Sequence, residues 1–176
     1  MENLANLTIK LLQNELSEQQ FLDALGIARE EVGAFTSALV ARAITDKNGS
    51  DLNDAEMIRF KFALREPPQG YDSELDYWHN LLLQDWHQEH EELISDLQMK
   101  ADPSSIPYLT AAIGLKPLLG YLAYDDYGAY YKKCLWALQA IGTDEAIEVI
   151  RSCTSSSDPV LNNEASYRLS RLGSVQ

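Results

Sequence analysis

Basic side chains are scarce in this sequence, with 14 Lys and Arg against 27 Asp and Glu and a formal net charge of −13. Nucleic acid is therefore excluded as a partner, because phosphate binding depends on Lys and Arg displacing condensed counterions. Apolar runs of about 18 residues are also missing, which excludes a membrane span. The opening Met1-Glu2-Asn3-Leu4 has neither the positive n-region nor the apolar stretch of a secretory signal, so a cytoplasmic location is expected. Only two cysteines occur, Cys134 and Cys153, without C-x-x-C or zinc-type spacing. Both fall in helical patterns and read as buried reduced thiols. Strand alternation is nearly absent, since the aromatic stretch Tyr121–Tyr131 is interrupted by Asp125, Asp126 and Gly128. There is no Gly-rich phosphate loop, no Gly-x-Ser-x-Gly elbow and no Cys–His dyad. The expectation is a protein that is not an enzyme and uses no cofactor and no metal.

What remains is helical. Leu4, Leu7, Leu11 and Leu12 recur at three- and four-residue intervals, the mark of an amphipathic helix. Ser17-Glu-Gln-Gln20 is a capping box opening a short helix through Leu25, with Gly26 as its stop. Ala28–Asp46 places Val32, Phe35, Leu39, Val40 and Ala43 on one side. Lys47-Asn-Gly-Ser50 reads as a loop, after which Asn53 is expected to cap Asp54–Arg65. Pro67-Pro68-Gln-Gly70 ends that element and divides an N-terminal helical part, 1–70, from the remainder, 71–176.

Ser73 opens the longest periodic segment, predicted as one helix to about Met99. Leu82, Leu83, Trp86, His90, Leu93 and Leu97 would form its apolar stripe, while Glu74, Asp85, Glu89, Glu92 and Asp96 would form a carboxylate ridge about 110° away. Residues 71–102 carry nine acidic side chains and one basic one, Lys100, so most of the excess charge is concentrated there. A partner selected by charge should be basic. All three histidines, His79, His87 and His90, also fall in this segment. On a continuous helix His79 and His90 would point the same way but lie some 16 Å apart, too far to share an ion. They are expected to be core histidines satisfied through their ring nitrogens.

The second half repeats itself. Cys134, Leu138 and Ile141 correspond to Ala165, Leu169 and Leu172 at a constant offset of 31, and Ile106 and Leu109 correspond to Ile147 and Ile150 at 41. The ten extra residues define an insertion at about 114–127. Asp102-Pro103 and Asp158-Pro159 read as helix starts, proline being favoured at the first helical position. Two-helix units repeating at this length bury their apolar faces against one another. The predicted fold is all-α: a short α-solenoid with an N-terminal helical extension.

The strings Asp102-Pro-Ser-Ser-Ile106, Lys133-Cys-Leu-Trp-Ala-Leu-Gln-Ala-Ile-Gly-Thr-Asp-Glu-Ala-Ile147, Asp158-Pro and Glu164-Ala-x-x-Arg168-Leu169 resemble bacterial HEAT-repeat domains. With Leu82-Leu-Gln-Asp-Trp-His-Gln-Glu-His-Glu91 upstream, the chain is similar to small HEAT-like immunity proteins of polymorphic-toxin and contact-dependent inhibition systems. The resemblance covers roughly residues 74–172 and leaves 1–70 without a recognisable motif. It implies a solenoid of HEAT-like helical hairpins and an inhibitor that binds and neutralises a cognate toxin domain in the producing cell's cytoplasm.

Five of the nine tyrosines, Tyr121, Tyr124, Tyr127, Tyr130 and Tyr131, fall within eleven residues that also hold Asp125 and Asp126. Tyrosine supplies rigid contact area with a polar tip, and repeat insertions often lie on the binding face. Tyr130 and Tyr131, at the start of the next helix, are the ones expected to be buried. The candidate partner-binding residues are therefore Asp85, Glu89, Glu92, Asp96, Tyr121, Tyr124, Asp125, Asp126 and Tyr127, facing a basic toxin domain such as a nuclease. Two other readings stay open: a general HEAT-type adaptor or assembly factor, and an enzyme on the same scaffold.

Overall fold

The computed structural model describes residues 3–123 and 128–172. These form ten α-helices and no strand. The helices are α1 (Leu4–Leu12), α2 (Glu18–Leu25), α3 (Val32–Asp46), α4 (Gly49–Lys61), α5 (Glu74–Leu82), α6 (His90–Lys100), α7 (Ile106–Leu115), α8 (Ala129–Ile141), α9 (Asp144–Cys153) and α10 (Pro159–Leu172). They belong to two compact units, Met1–Tyr77 and Trp78–Gln176, and the division falls inside α5.

In the first unit α4 packs against both α1 and α3, and α2 packs against α1. Leu7, Leu11, Phe21, Leu22, Leu39, Val40, Leu52 and Ile58 supply the buried face, and the Phe21 and Phe62 rings sit 6.1 Å apart. The capping box forms as predicted: the Gln20 amide donates to Ser17 Oγ, and the Ser17 amide donates to Gln20 Oε1 at 2.9 Å. Gly26 ends α2 in the left-handed region at φ 69°.

The start of α4 differs from the prediction. Asn48, not Asn53, is the cap, and its Oδ1 accepts from the amides of Ser50 and Asp51 at 3.0 and 3.3 Å. Gly49 and Ser50 are recruited into the first turn, so a segment with loop-like composition becomes helix. Asp51 then lies where the helix dipole favours a carboxylate, and it accepts from Arg42 Nε at 2.7 Å.

In the second unit α8 is the hub, packing against α6, α7, α9 and α10; α7 also touches α9, and α9 touches α10. Leu93, Ile94 and Leu97 of α6 are buried along with Ile106 and Leu109 of α7, Leu135 and Leu138 of α8, Ile150 of α9 and Ala165 of α10. Asp102 and Asp158 both act as caps, accepting from the amides of Ser104 and Val160 at 2.8 and 2.9 Å. Among the positions that correspond in the repeat, Cys134, Leu138, Ala165, Leu109 and Ile150 are buried, whereas Ile141, Ile147, Leu169 and Leu172 are partly exposed. Both cysteines are buried free thiols, and burial pushes their pKa values up.

The insertion leaves α7 as two 3₁₀ turns, Lys116–Leu118 and Gly120–Leu122. Residues 124–127 lie outside the described residues. The chain re-enters α8 through Gly128 at φ 65°, where an added Cβ would collide with the Val160 side chain of α10. Only glycine meets both demands.

Among the described residues no helix is long and apolar enough to cross a membrane.

The cap assignment separates two substitutions. Asn48→Ala should lower the free energy of unfolding by about 1 kcal/mol, while Asn53→Ala, inside the helix, should leave it nearly unchanged. Urea denaturation of both variants checks this; equal effects would mean that α4 starts later.

A candidate protein-binding surface at the start of α6

The helix predicted from Ser73 to Met99 is broken. Ser73 does cap it, accepting from the Asp76 amide at 3.0 Å, but α5 ends at Leu82 and α6 begins at His90. Neither glycine nor proline lies between. The break is made by two imidazoles. In an uninterrupted helix the Leu81 carbonyl would accept from the amide of residue 85, and the Gln84 carbonyl from that of residue 88. Here His87 Nε2 donates to the Leu81 carbonyl at 2.9 Å and His90 Nε2 donates to the Gln84 carbonyl at 2.6 Å. The intervening residues therefore leave the helix without orphaning these two carbonyls. Gln84 contributes by donating its amide to Leu81 at 2.8 Å and its side-chain Nε2 to Asn80 at 3.3 Å. Leu83, placed on the apolar stripe by periodicity, is 39% exposed as a result.

The remaining ring nitrogens are also used. The Glu89 amide donates to His87 Nδ1 at 3.1 Å, and the Tyr121 hydroxyl donates to His90 Nδ1 at 2.9 Å. A carbonyl can only accept, so Nε2 carries a proton in both rings; the Glu89 amide makes His87 Nδ1 an acceptor and that ring neutral, and the lowered pKa of His90 leaves its Nδ1 free to accept from Tyr121. The rings stack with centroids 4.3 Å apart. Burial lowers the pKa of both, and the repulsion that a protonated His87 would exert adds to burial in bringing His90 down to about 4. His79 is separate, bonded to Ser105 Oγ at 2.9 Å and stacked on Tyr108 at 3.9 Å. All three histidines are thus buried and satisfied, but His79 and His90 lie on different helices and do not share one face of a continuous helix as predicted. Among the described residues no group of three His, Cys, Asp or Glu side chains is placed to hold a metal ion.

The carboxylate ridge does not run the length of a helix. Asp85 lies exposed in the irregular link, and Glu74 is a helix away on α5. Glu89, at the cap position of α6, continues into Glu92 and Asp96 at helical spacing, and this shorter row is what α6 presents. Glu92 is exposed, and Glu89 and Asp96 are partly exposed. Glu91 and Glu92 occupy the first turn, where the helix dipole stabilises them.

Tyr121 joins this group. Burial raises its pKa first, and Glu91, Glu92 and Glu89 raise it further, so the phenol stays a neutral donor among carboxylates. Of the predicted site residues, the structure therefore gathers Glu89, Glu92 and Tyr121 at the start of α6, with Asp85 and Asp96 before and after them. Tyr124, Asp125, Asp126 and Tyr127 lie outside the described residues. Tyr130 and Tyr131 are buried, donating to the Ala112 carbonyl and to Asp158 Oδ2, each at 3.0 Å. The sequence reading missed the pairing of Glu91 with Lys133 of α8 at 2.9 Å. Lys133 stands 42 positions away, and no local pattern links the two.

Compared with protein-family models, with curated proteins and with solved structures, the chain matches none.

The neutral imidazoles make stability depend on pH. Both rings bind a proton more weakly when folded than when unfolded, so their contribution is complete above the ordinary histidine value near 6.5. It is lost as pH falls from there towards the folded value of about 4 for His90. The loss should reach up to about 3 kcal/mol. Urea midpoints measured between pH 7 and 4.5 should fall progressively, and His90→Gln should flatten the slope. A midpoint unchanged across that interval would contradict the arrangement.

Proposed function

We propose that this protein binds a basic protein partner through the acidic start of α6, and that the partner is a toxin domain which it neutralises. The observation that carries the binding reading is the gathering of Glu89, Glu92 and Tyr121 at one helix start by the His87–His90 staple, within a segment holding nine acids and one base. The immunity role rests on the resemblance carried by residues 82–91 and the repeat strings. Complementary potential would speed encounter with a cationic surface, and a half-buried tyrosine would slow dissociation. Such an inhibitor needs no catalytic group of its own.

The α-solenoid reading belongs with this proposal. Contacts between alternate helices, α6 with α8, α8 with α10 and α7 with α9, support two stacked layers of the HEAT type. A cytoplasmic site of action follows from the proposed role.

Co-purification with the product of the neighbouring upstream gene tests the proposal. A stoichiometric complex should form at low salt, and Glu92→Lys and Glu89→Lys should each slow association severalfold and reduce its salt dependence. No complex with that product, while an unrelated basic protein is captured stoichiometrically, would replace the toxin reading with that of an adaptor. Charge reversals without effect on a complex that does form would move the interface away from α6.

A further inference from the structure

The first unit contains a cavity of about 370 Å³ whose lining contrasts with the charge of the chain. Of the seven Lys and Arg in residues 1–70, three line it: Arg29, Arg59 and Arg65. Arg59 is the built element, 6% exposed on α4 and held in place by donating Nη2 to the Glu66 carbonyl at 2.9 Å. Its Nε faces Glu56 at 3.7 Å, outside hydrogen-bond range, and its guanidinium lies 5.8 Å from the Tyr77 ring centroid. The other N–H bonds of this guanidinium have no partner among the described residues. They are not sealed in the interior either, because the one buried side-chain atom without a partner there is Gln139 Oε1. Arg59 itself is among the residues that line the cavity.

Two further donors lie beside them. Arg65 is exposed and takes no partner among the described residues. Ser37 Oγ accepts from the Gln69 amide at 3.1 Å, which leaves its own O–H to donate. Ala34, Leu64 and Pro67 supply an apolar part of the wall.

We propose that this cavity is a binding site for a carboxylate group carried on a small apolar body, such as the C-terminal residue of a peptide. A guanidinium edge of parallel N–H donors matches the two oxygens of a carboxylate in one plane. Glu30 and Glu66 also line the cavity, and Arg29 and Arg59 are ion-paired with Glu18 and Glu56, so little net positive charge is left there. That balance suits a monoanion and works against a phosphate carrying nearly two charges. The site lies in the unit that the proposed inhibitor surface does not use, and its test is independent of that reading.

The test is an NMR titration of the full-length protein with N-acetyl-Ala-Leu bearing a free carboxylate, with the same dipeptide as its amide, and with inorganic phosphate. The acid should shift the Arg59 Nε–H and Gly33 amide resonances saturably, whereas the amide and phosphate at equal concentration should not. Arg65→Gln should weaken acid binding about tenfold while leaving the rest of the spectrum in place, and Ser37→Ala should weaken it less. Equal shifts with acid and amide would reduce the site to an apolar cleft. Tighter binding of phosphate would overturn the carboxylate assignment, and no shift with any probe, or acid binding indifferent to Arg65→Gln, would overturn the site altogether.

Discussion

Two hydrogen bonds from imidazole nitrogens to backbone carbonyls, His87 to Leu81 and His90 to Gln84, govern the arrangement of the second unit. They do what the amides of residues 85 and 88 would do in a continuous helix, and so release seven residues from helical geometry. Breaking a helix in the interior normally orphans polar groups at a cost of about 1–3 kcal/mol each. The histidines avoid that cost without glycine or proline. The Glu89 amide bonded to His87 Nδ1 and the lowered pKa of His90 keep both stacked rings neutral with the proton on Nε2.

The acidic surface depends on the same device. With the rings neutral, the imidazoles beneath the start of α6 add no positive charge next to Glu89, Glu91 and Glu92. Lys133 pairs with Glu91. Tyr121 is fixed there by its bond to His90, so an aromatic side chain from the insertion meets the acidic row that α6 presents. Electrostatic complementarity chiefly sets encounter rate and specificity, and an anchored aromatic ring adds contact at little entropic cost. That division of labour underlies the proposed interface.

Much of the helical architecture could be read from local signals. The Ser17 capping box, the stop at Gly26, the Asp-Pro starts at Asp102 and Asp158, and burial of Tyr130 and Tyr131 all rest on interactions within a few residues or on plain periodicity. The failures have physical causes. Asn48 rather than Asn53 starts α4 because Gly49 and Ser50 tolerate a first turn once a side chain caps it. The interruption at 83–89 was invisible because apolar spacing keeps its helical phase across it, and the residues that break the helix act through side chains reaching back six positions. The Glu91–Lys133 pair and the arginine-lined cavity join residues distant in sequence, where no periodic pattern can point.

The imidazole nitrogens themselves test the staple most directly. In long-range ¹H–¹⁵N spectra at neutral pH, His87 and His90 should both appear as neutral rings protonated on Nε2, and His90 should stay neutral when the pH is lowered to 5.5. A ring protonated on Nδ1, or a His90 that is charged at pH 5.5, would show that the carbonyls of Leu81 and Gln84 are satisfied in some other way. The interrupted helix, and the acidic surface built on it, would then have to be abandoned.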